Sequence, residues 1–258
     1  VSLALAYDIG LNTQYPVAIN AWREHAVRMA PDEAVAAILT DGTLVPLNNV
    51  AQDARNYFAV ADAEITPLLD RLAGIIHSHT EDTVDGKVVS PTHEPSQVDM
   101  ETQIAYAVPF GISIVQHGSS STPVWWGDQL PIRPLLGRNF LHGIMDCFSL
   151  VRDWHRLQGV YFDDVPRDPD WWDKPDFDLY EDLFEQHGFE RVQRVAPKVG
   201  DGFICSLRSD KRNHAGLFVS DQVFIHHPGE SLSLRSQGVR WRQKIDFMVR
   251  HKDLPEDL

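Results

Sequence analysis

Apolar residues along the chain recur at intervals that mark short, mixed elements. Residues 18–30 carry a helical pattern that Pro31 interrupts, and Glu33 then opens an apolar run through Leu39 that reads as a strand. Asp41-Gly42 reads as a hairpin turn into a second strand over 43–47. A helical stretch over 62–72, a strand over 74–79, a polar loop over 80–95, a helix from Ser96 to about Val108 and a strand over 112–116 complete a mixed first half. In the second half, Phe148, Val151 and Trp154 or His155 give helical spacing within 146–157, and 179–187 reads as another helix. Residues 202–207, 215–219, 223–226 and 239–249 read as strands separated by turn residues. The order predicts a helical layer followed by an antiparallel sheet, so the chain is expected to be α+β in two domains.

Length and charge sharpen this picture. The 258 residues leave room for two ordinary domains, and the charge character changes near the middle, from net −10 over residues 1–120 to −4 over the rest. Gly118-Ser119-Ser120-Ser121-Thr122-Pro123 sits at that change and is small and polar enough for a connector. The expected division is therefore a domain over 1–118, a linker over 119–133 and a domain over 134–258. A net charge of −14 disfavours nucleic acid and anionic lipid, and the apolar runs are too short for a membrane span. The N-terminus lacks the basic residues of a secretory signal, which weighs against an exported housekeeping wall hydrolase, although a first residue of Val leaves the true start open. Two cysteines are too few for a disulfide framework, whereas twelve histidines, several clustered, point to metal or proton chemistry.

Two constellations carry that chemistry. His77-Ser78-His79 lies at a strand end, where residues i and i+2 share a face, so two imidazoles can converge on one ion. Asp99, early in the next helix, offers a third ligand for Zn²⁺, and Glu33 a base. Ser96-Gln97-Val98-Asp99 reads equally as a helix capping box. The second constellation begins with Asp146-Cys147 at a helix start, where the backbone dipole favours a thiolate. His214 and His226 stand on adjacent strands whose length can bring the imidazoles together, one as base and one orienting it. Cys205 reads as core, and Trp125-Trp126 and Trp171-Trp172 read as core residues or as substrate platforms.

Pro31-Asp32-Glu33, His77-Ser78-His79 and Pro95-Ser96-Gln97-Val98-Asp99, in that order over residues 15–117, resemble the JAMM/MPN family of zinc metallopeptidases. The resemblance implies an α/β domain in which His77, His79 and Asp99 bind Zn²⁺, Glu33 is the general base and Ser96 helps stabilise the oxyanion. The loop between His79 and Ser96 is longer than that family's pattern, with an acidic insertion over 81–89. From Pro134 to Lys252, the stretches PLLGRNFLHGIMDCFSLVRDWH, PRDPDWW, NHAGLFV and FIHHPGESLSLR resemble the NlpC-type cysteine peptidases, a papain-like group, with Phe148-Ser149 replacing the commoner small pair after the cysteine. There Cys147 would be the nucleophile, His214 the base and His226 the orienting residue, with neighbouring His227 the alternative for that role although its side chain should face the other way. The fusion of the two is similar to the lambda-like phage tail tip assembly protein K family. That resemblance implies a virion tail tip protein present in host cytoplasm during assembly and in cell wall or periplasm on infection, with other tail tip proteins as partners and peptidoglycan stem peptides as substrate. A structural tail tip component with gated or inactive peptidase folds is the alternative.

Overall fold

The computed structural model describes residues 10–84, 87–174, 178–193, 196–241, 243–255 and 258; the first nine residues, on which the expectation about an export signal falls, lie outside them. Contacts divide the chain into two compact units, Val1–Pro95 with Glu101–Pro131, and Ser96–Met100 with Ile132–Leu258. Among the described residues no helix is long and apolar enough to cross a membrane.

In the first unit the helix Pro16–Met29 opens on a proline, whose fixed φ suits the first helical position, and buries Ala18, Ile19, Trp22 and Ala26. Strands β1 (Val35–Leu39) and β2 (Leu44–Leu47) form a hairpin. The next helix is shorter than its periodicity suggests: Asp62–Ile65 is α-helical, and Thr66–Arg71 tightens to a 3₁₀ turn around Pro67, which has no N–H to donate. Strand β3 (Leu72–Thr80) runs antiparallel to β1 and parallel to β6 (Phe110–Gln116), the crossover being the helix Gln97–Tyr106. The expected polar loop over 80–95 instead holds a small hairpin, β4 (Asp82–Val84) with β5 (Lys87–Val89).

The expected linker is not a connector in its first part. β7 (Ser119–Ser120) and β8 (Val124–Trp126) both pair with β6, and the first unit runs to Pro131. The reason is burial. Trp125 is fully enclosed, its indole N–H donates to Asn12 Oδ1 at 2.7 Å, and the Asn12 amide donates to the Pro123 carbonyl at 2.9 Å. Two buried tryptophans, each removing roughly 150–250 Å² from water, outweigh the entropy that the Gly-Ser stretch would gain as a free linker. Trp125 and Trp126 are core residues.

The second unit is one antiparallel sheet in the order β13–β12–β11–β10–β14–β9, formed by β9 (Phe189–Val192), β10 (Gly202–Cys205), β11 (His214–Phe218), β12 (Val223–His226), β13 (Leu234–Gln237) and β14 (Ile245–His251). The strand expected over 239–249 begins only at Ile245. A 3₁₀ turn over Gly238–Arg240 precedes it and delivers the Trp241 ring among Phe203, Phe224 and His226. The helix Cys147–Leu157 lays Leu150 and Trp154 on Leu217, Ile225 and Leu254.

Gly216 is pinned by its neighbours. A Cβ there would lie 2.6 Å from the Phe203 ring and 2.7 Å from the Ile225 carbonyl oxygen, and the latter is backbone that cannot rotate away. Gly216→Ala is expected to cost about 3 kcal/mol through overpacking, read as a lower urea midpoint at unchanged slope. An unchanged midpoint would mean that β11 and β12 are not packed as described.

Candidate active site

The first constellation assembles as neighbours. On β3, His77 and His79 share a face, and their Nε2 atoms stand 3.2 Å apart. The Nδ1 of His79 lies 2.7 Å from the Thr92 carbonyl oxygen. Only a protonated Nδ1 can donate there, so in the neutral ring Nε2 keeps its lone pair. Asp99 stands in the first turn of a helix whose body, from Glu101, belongs to the same unit as β3. Its carboxylate, with the two imidazoles, gives three ligand atoms within 4.8 Å of one another. Ligands on a tetrahedral ion at 2.0–2.1 Å are about 3.3 Å apart, close to the His77–His79 separation. The donor set therefore fits a divalent ion such as zinc.

The capping box forms as well. Ser96 N–H and Oγ donate to Asp99 Oδ2 at 2.8 and 2.7 Å, and Asp99 N–H donates to Ser96 Oγ at 3.1 Å. Capping and ligation are thus compatible readings of one carboxylate, and Ser96 is held on Asp99. Glu33 precedes β1, is buried, and places Oε1 3.9 Å from His79 Nε2. Phe58 and Trp126, which the sequence did not connect with this site, pack on the His77 ring.

In the second constellation Asp146 caps the helix, accepting from Ser149 N–H at 2.9 Å, while Asp146 N–H donates to Ser149 Oγ at 2.8 Å. Cys147 is the first helical residue and only 9% exposed. Its Sγ sits 3.3 Å from Tyr180 Oη and 3.9 Å from the carbonyl oxygen of Asn213. Burial, and then the Asp146 charge, push the thiol pKa up, so at rest it is a neutral S–H.

Gly216 lies directly opposite His226 in the ladder, and the space above it is taken by the Phe203 ring. His214, two residues before Gly216, is on the same face and reaches across diagonally. Nε2 of His214 is 3.0 Å from Nδ1 of His226, whose Nε2 is 3.0 Å from Ser236 Oγ. Nδ1 of His214 remains as the nitrogen that can serve a thiol. Among the described residues no hydrogen bond joins Cys147 to His214; the sulfur instead touches the backbone on either side of that histidine. Burial, and then the neighbouring imidazoles, depress the pKa of His214 to about 3, and burial with His227 depresses that of His226 to about 4, so both rings are neutral near pH 7. A neutral thiol beside a neutral imidazole suits proton transfer during attack rather than a standing ion pair.

His227 turns to the Ser231 carbonyl and packs on Phe140. A cleft of about 390 Å³ on the His226 side is lined by Ser236, Gln237, Arg240 and Trp241. Cys205 is core, its pKa pushed up to about 12, chiefly by burial. Trp171 is buried against Tyr180, and Trp172 packs at the margin of the same cluster. Sequence reading missed Tyr180, Ser236 and Arg167. No local spacing marks the first two, while Arg167 lies inside the PRDPDWW segment without an assigned role.

The class of site is matched by comparison: residues 126–250 are similar to the NlpC/P60 family. Particular relatives carry a name. The tail tip assembly protein K of Escherichia phage lambda is 35% identical over 119 residues, covering 46% of this chain and 59% of that protein. Tail tip assembly protein K of Escherichia phage N15 is 27% identical over 245 residues, covering 92% of this chain and 95% of that protein. The aligned part thus spans less than two thirds of the lambda protein. A solution structure of a Salinibacter ruber protein, 18% identical over 46% of this chain and 86% of its own, has a TM-score of 0.28, too low to support an argument.

Proposed function

We propose that this chain is a phage tail tip protein whose second unit is a cysteine peptidase acting on peptidoglycan stem peptides. The observation that carries the reading is Cys147 at the head of a capped, buried helix, its sulfur against the backbone that begins β11, where the His214–His226–Ser236 chain starts. Similarity to the NlpC/P60 family and to the two K proteins supports it. Sγ attacks the peptide carbonyl, and its proton passes to His214, then to the departing amine. Water hydrolyses the acyl-enzyme, with His226 holding the His214 ring. The protein would act at the virion tail tip beside other tail proteins, in host cytoplasm during assembly and in the cell wall or periplasm on infection.

Residues 1–118 are proposed as a JAMM/MPN-like domain with a second hydrolytic centre. His77, His79 and Asp99 would hold zinc, which when bound supplies Lewis acidity to a carbonyl. Glu33 would take and return a proton, and the Ser96 hydroxyl, held at Asp99, would face the developing negative charge.

The test of the peptidase is purified peptidoglycan incubated with wild-type protein, with products identified by mass spectrometry. New stem-peptide ends are expected. Their absence with folded protein favours the second reading, a tail tip assembly component, and the enclosure of Cys147 under Tyr180 favours a gated rather than a decayed site. Zinc is tested by titration of metal-free protein. Ligand at about 100 times its Kd is expected to stabilise by about 2.7 kcal/mol, and His77→Ala to remove the response together with bound zinc measured by mass spectrometry. Equal melting curves of wild type and His77→Ala with and without zinc would remove zinc from this site.

A further inference from the structure

The PRDPDWW segment contributes the most enclosed cation among the described residues of the second unit. Arg167 is 2% exposed, and its Nε and Nη2 donate to a single oxygen of Asp146, Oδ2, at 3.2 and 2.6 Å. Nη1 donates to Asp164 Oδ1 at 3.1 Å and to the Val165 carbonyl at 2.6 Å, and the guanidinium lies 4.6 Å over the Phe148 ring. Asp146 Oδ2 also accepts from Gly143 N–H at 3.0 Å. The carboxylate that caps the nucleophile helix, one residue before Cys147, is thus buried and tied to a guanidinium from a segment twenty residues later.

We propose that Arg167 is a positioning residue for the Cys147 thiol: it holds the Asp146 carboxylate and offsets part of its charge, so that the sulfur faces the helix N-terminus beside a paired rather than a bare carboxylate. Two demands conflict at this helix start. A carboxylate is among the best caps for the first turn, yet next to a sulfur it opposes the thiolate that attack requires. A buried guanidinium eases both, keeping the cap and offsetting part of its charge. Burial is the largest influence on Asp146 and would protonate it, but Arg167, with His142 and the Ser149 N–H, together outweigh it, and its carboxyl stays well below the usual carboxylate range. The other groups facing the thiol are Tyr180 Oη from the helix Leu179–Leu183 and the Asn213 carbonyl, with Cys205 on β10 close enough to sense its charge. His142 and His227 face Asp146, and His214 opens the strand beside the sulfur.

The inference deepens the peptidase reading and rests on Cys147 being its nucleophile, but its test does not need turnover. The rate of Cys147 alkylation by iodoacetamide is followed against pH by peptide mass mapping, which separates it from buried Cys205. Arg167→Met is expected to move the midpoint about one pH unit or more to the alkaline side, so that modification at pH 7 slows about tenfold. Asp146→Asn keeps a good cap but leaves the guanidinium only Asp164 as a carboxylate partner, and is expected to move the midpoint to the acid side. The double variant should return close to wild type. Folded single variants with the wild-type midpoint would overturn the proposal; should Arg167→Met fail to fold, Asp146→Asn decides alone. If alkylation midpoints move while the pH profile of kcat/KM does not, Arg167 keeps its role and the choice of nucleophile fails.

Discussion

Cys147→Ala is expected to abolish stem-peptide cleavage, lowering kcat/KM by about 10⁴-fold or more, while the protein remains folded. The chemical loss is large because alanine offers no electron pair, and removing a nucleophile that acts in concert with its base eliminates the whole covalent route. The structural loss is small. The helix is capped by Asp146 and Ser149 rather than by Cys147, so the first turn keeps its hydrogen bonds. Alanine forfeits one sulfur against Tyr180, about 1 kcal/mol, which lowers the melting midpoint by only a few degrees. His214→Ala should be nearly as inactive, because a thiol with a raised pKa needs a base during attack. His226→Ala should retain more activity, since it orients the base without receiving the proton from sulfur. Kinetics of the three variants on one defined stem peptide decide the matter. Cleavage surviving in Cys147→Ala would place the nucleophile elsewhere.

The second unit is expected to lose most of its stability between pH 6.5 and 4. His155, His214 and His226 are buried as neutral rings, with pKa values lowered to about 4, 3 and 4, in each case chiefly by burial. His155 Nδ1 donates to the Val151 carbonyl, 2.8 Å away, which requires Nδ1 to carry the proton. Phe162, Phe189 and His251 box in its ring. In the unfolded chain each histidine takes up a proton as the pH falls below about 6.5, whereas the folded rings stay neutral until about 3 to 4. The unfolded state therefore binds more protons across this window, and stability falls with pH. At pH 4 the loss is about 3 kcal/mol for each ring, hence about 6–9 kcal/mol when the mutual hydrogen bond of His214 and His226 is allowed for. That is comparable with the whole stability of an ordinary domain, about 5–15 kcal/mol. Urea unfolding followed by circular dichroism at pH 7, 6, 5 and 4 measures it. His155→Gln, which can still donate an amide proton to Val151, should recover roughly a third of the acid loss. A midpoint unchanged down to pH 4 would mean that these rings are solvated.

Much of both sites lies open to a reader of the chain. The two-residue step from His77 to His79, the Ser96–Asp99 cap and the Asp146-Cys147 helix start are local patterns whose geometry follows from strand and helix periodicity. The meeting of His214 with His226 is nearly as local, because a short antiparallel turn leaves few registers and sets Gly216 opposite His226, with His214 two residues away on the same face. Composition misjudged residues 119–126, since the small polar stretch to Pro123 read as linker while the enclosing of Trp125 against Asn12, more than a hundred positions earlier, draws the segment into the sheet. It also joined the Gly238–Arg240 turn to β14, since nothing local marks where the Trp241 ring must turn inward.

Sequence alone determined which faces each strand and helix presents and which residue types stand at their ends, because backbone periodicity and capping act over a few neighbouring residues. Only the tertiary structure decided what surrounds the reactive groups. Tyr180 lies over the sulfur from thirty-three residues away, and Arg167 pairs with Asp146 from twenty-one, pairings that local pattern does not encode. They arise from burial, which in a low-dielectric interior costs several kcal/mol for each unpaired charge and so selects the fold in which Asp146 finds its guanidinium.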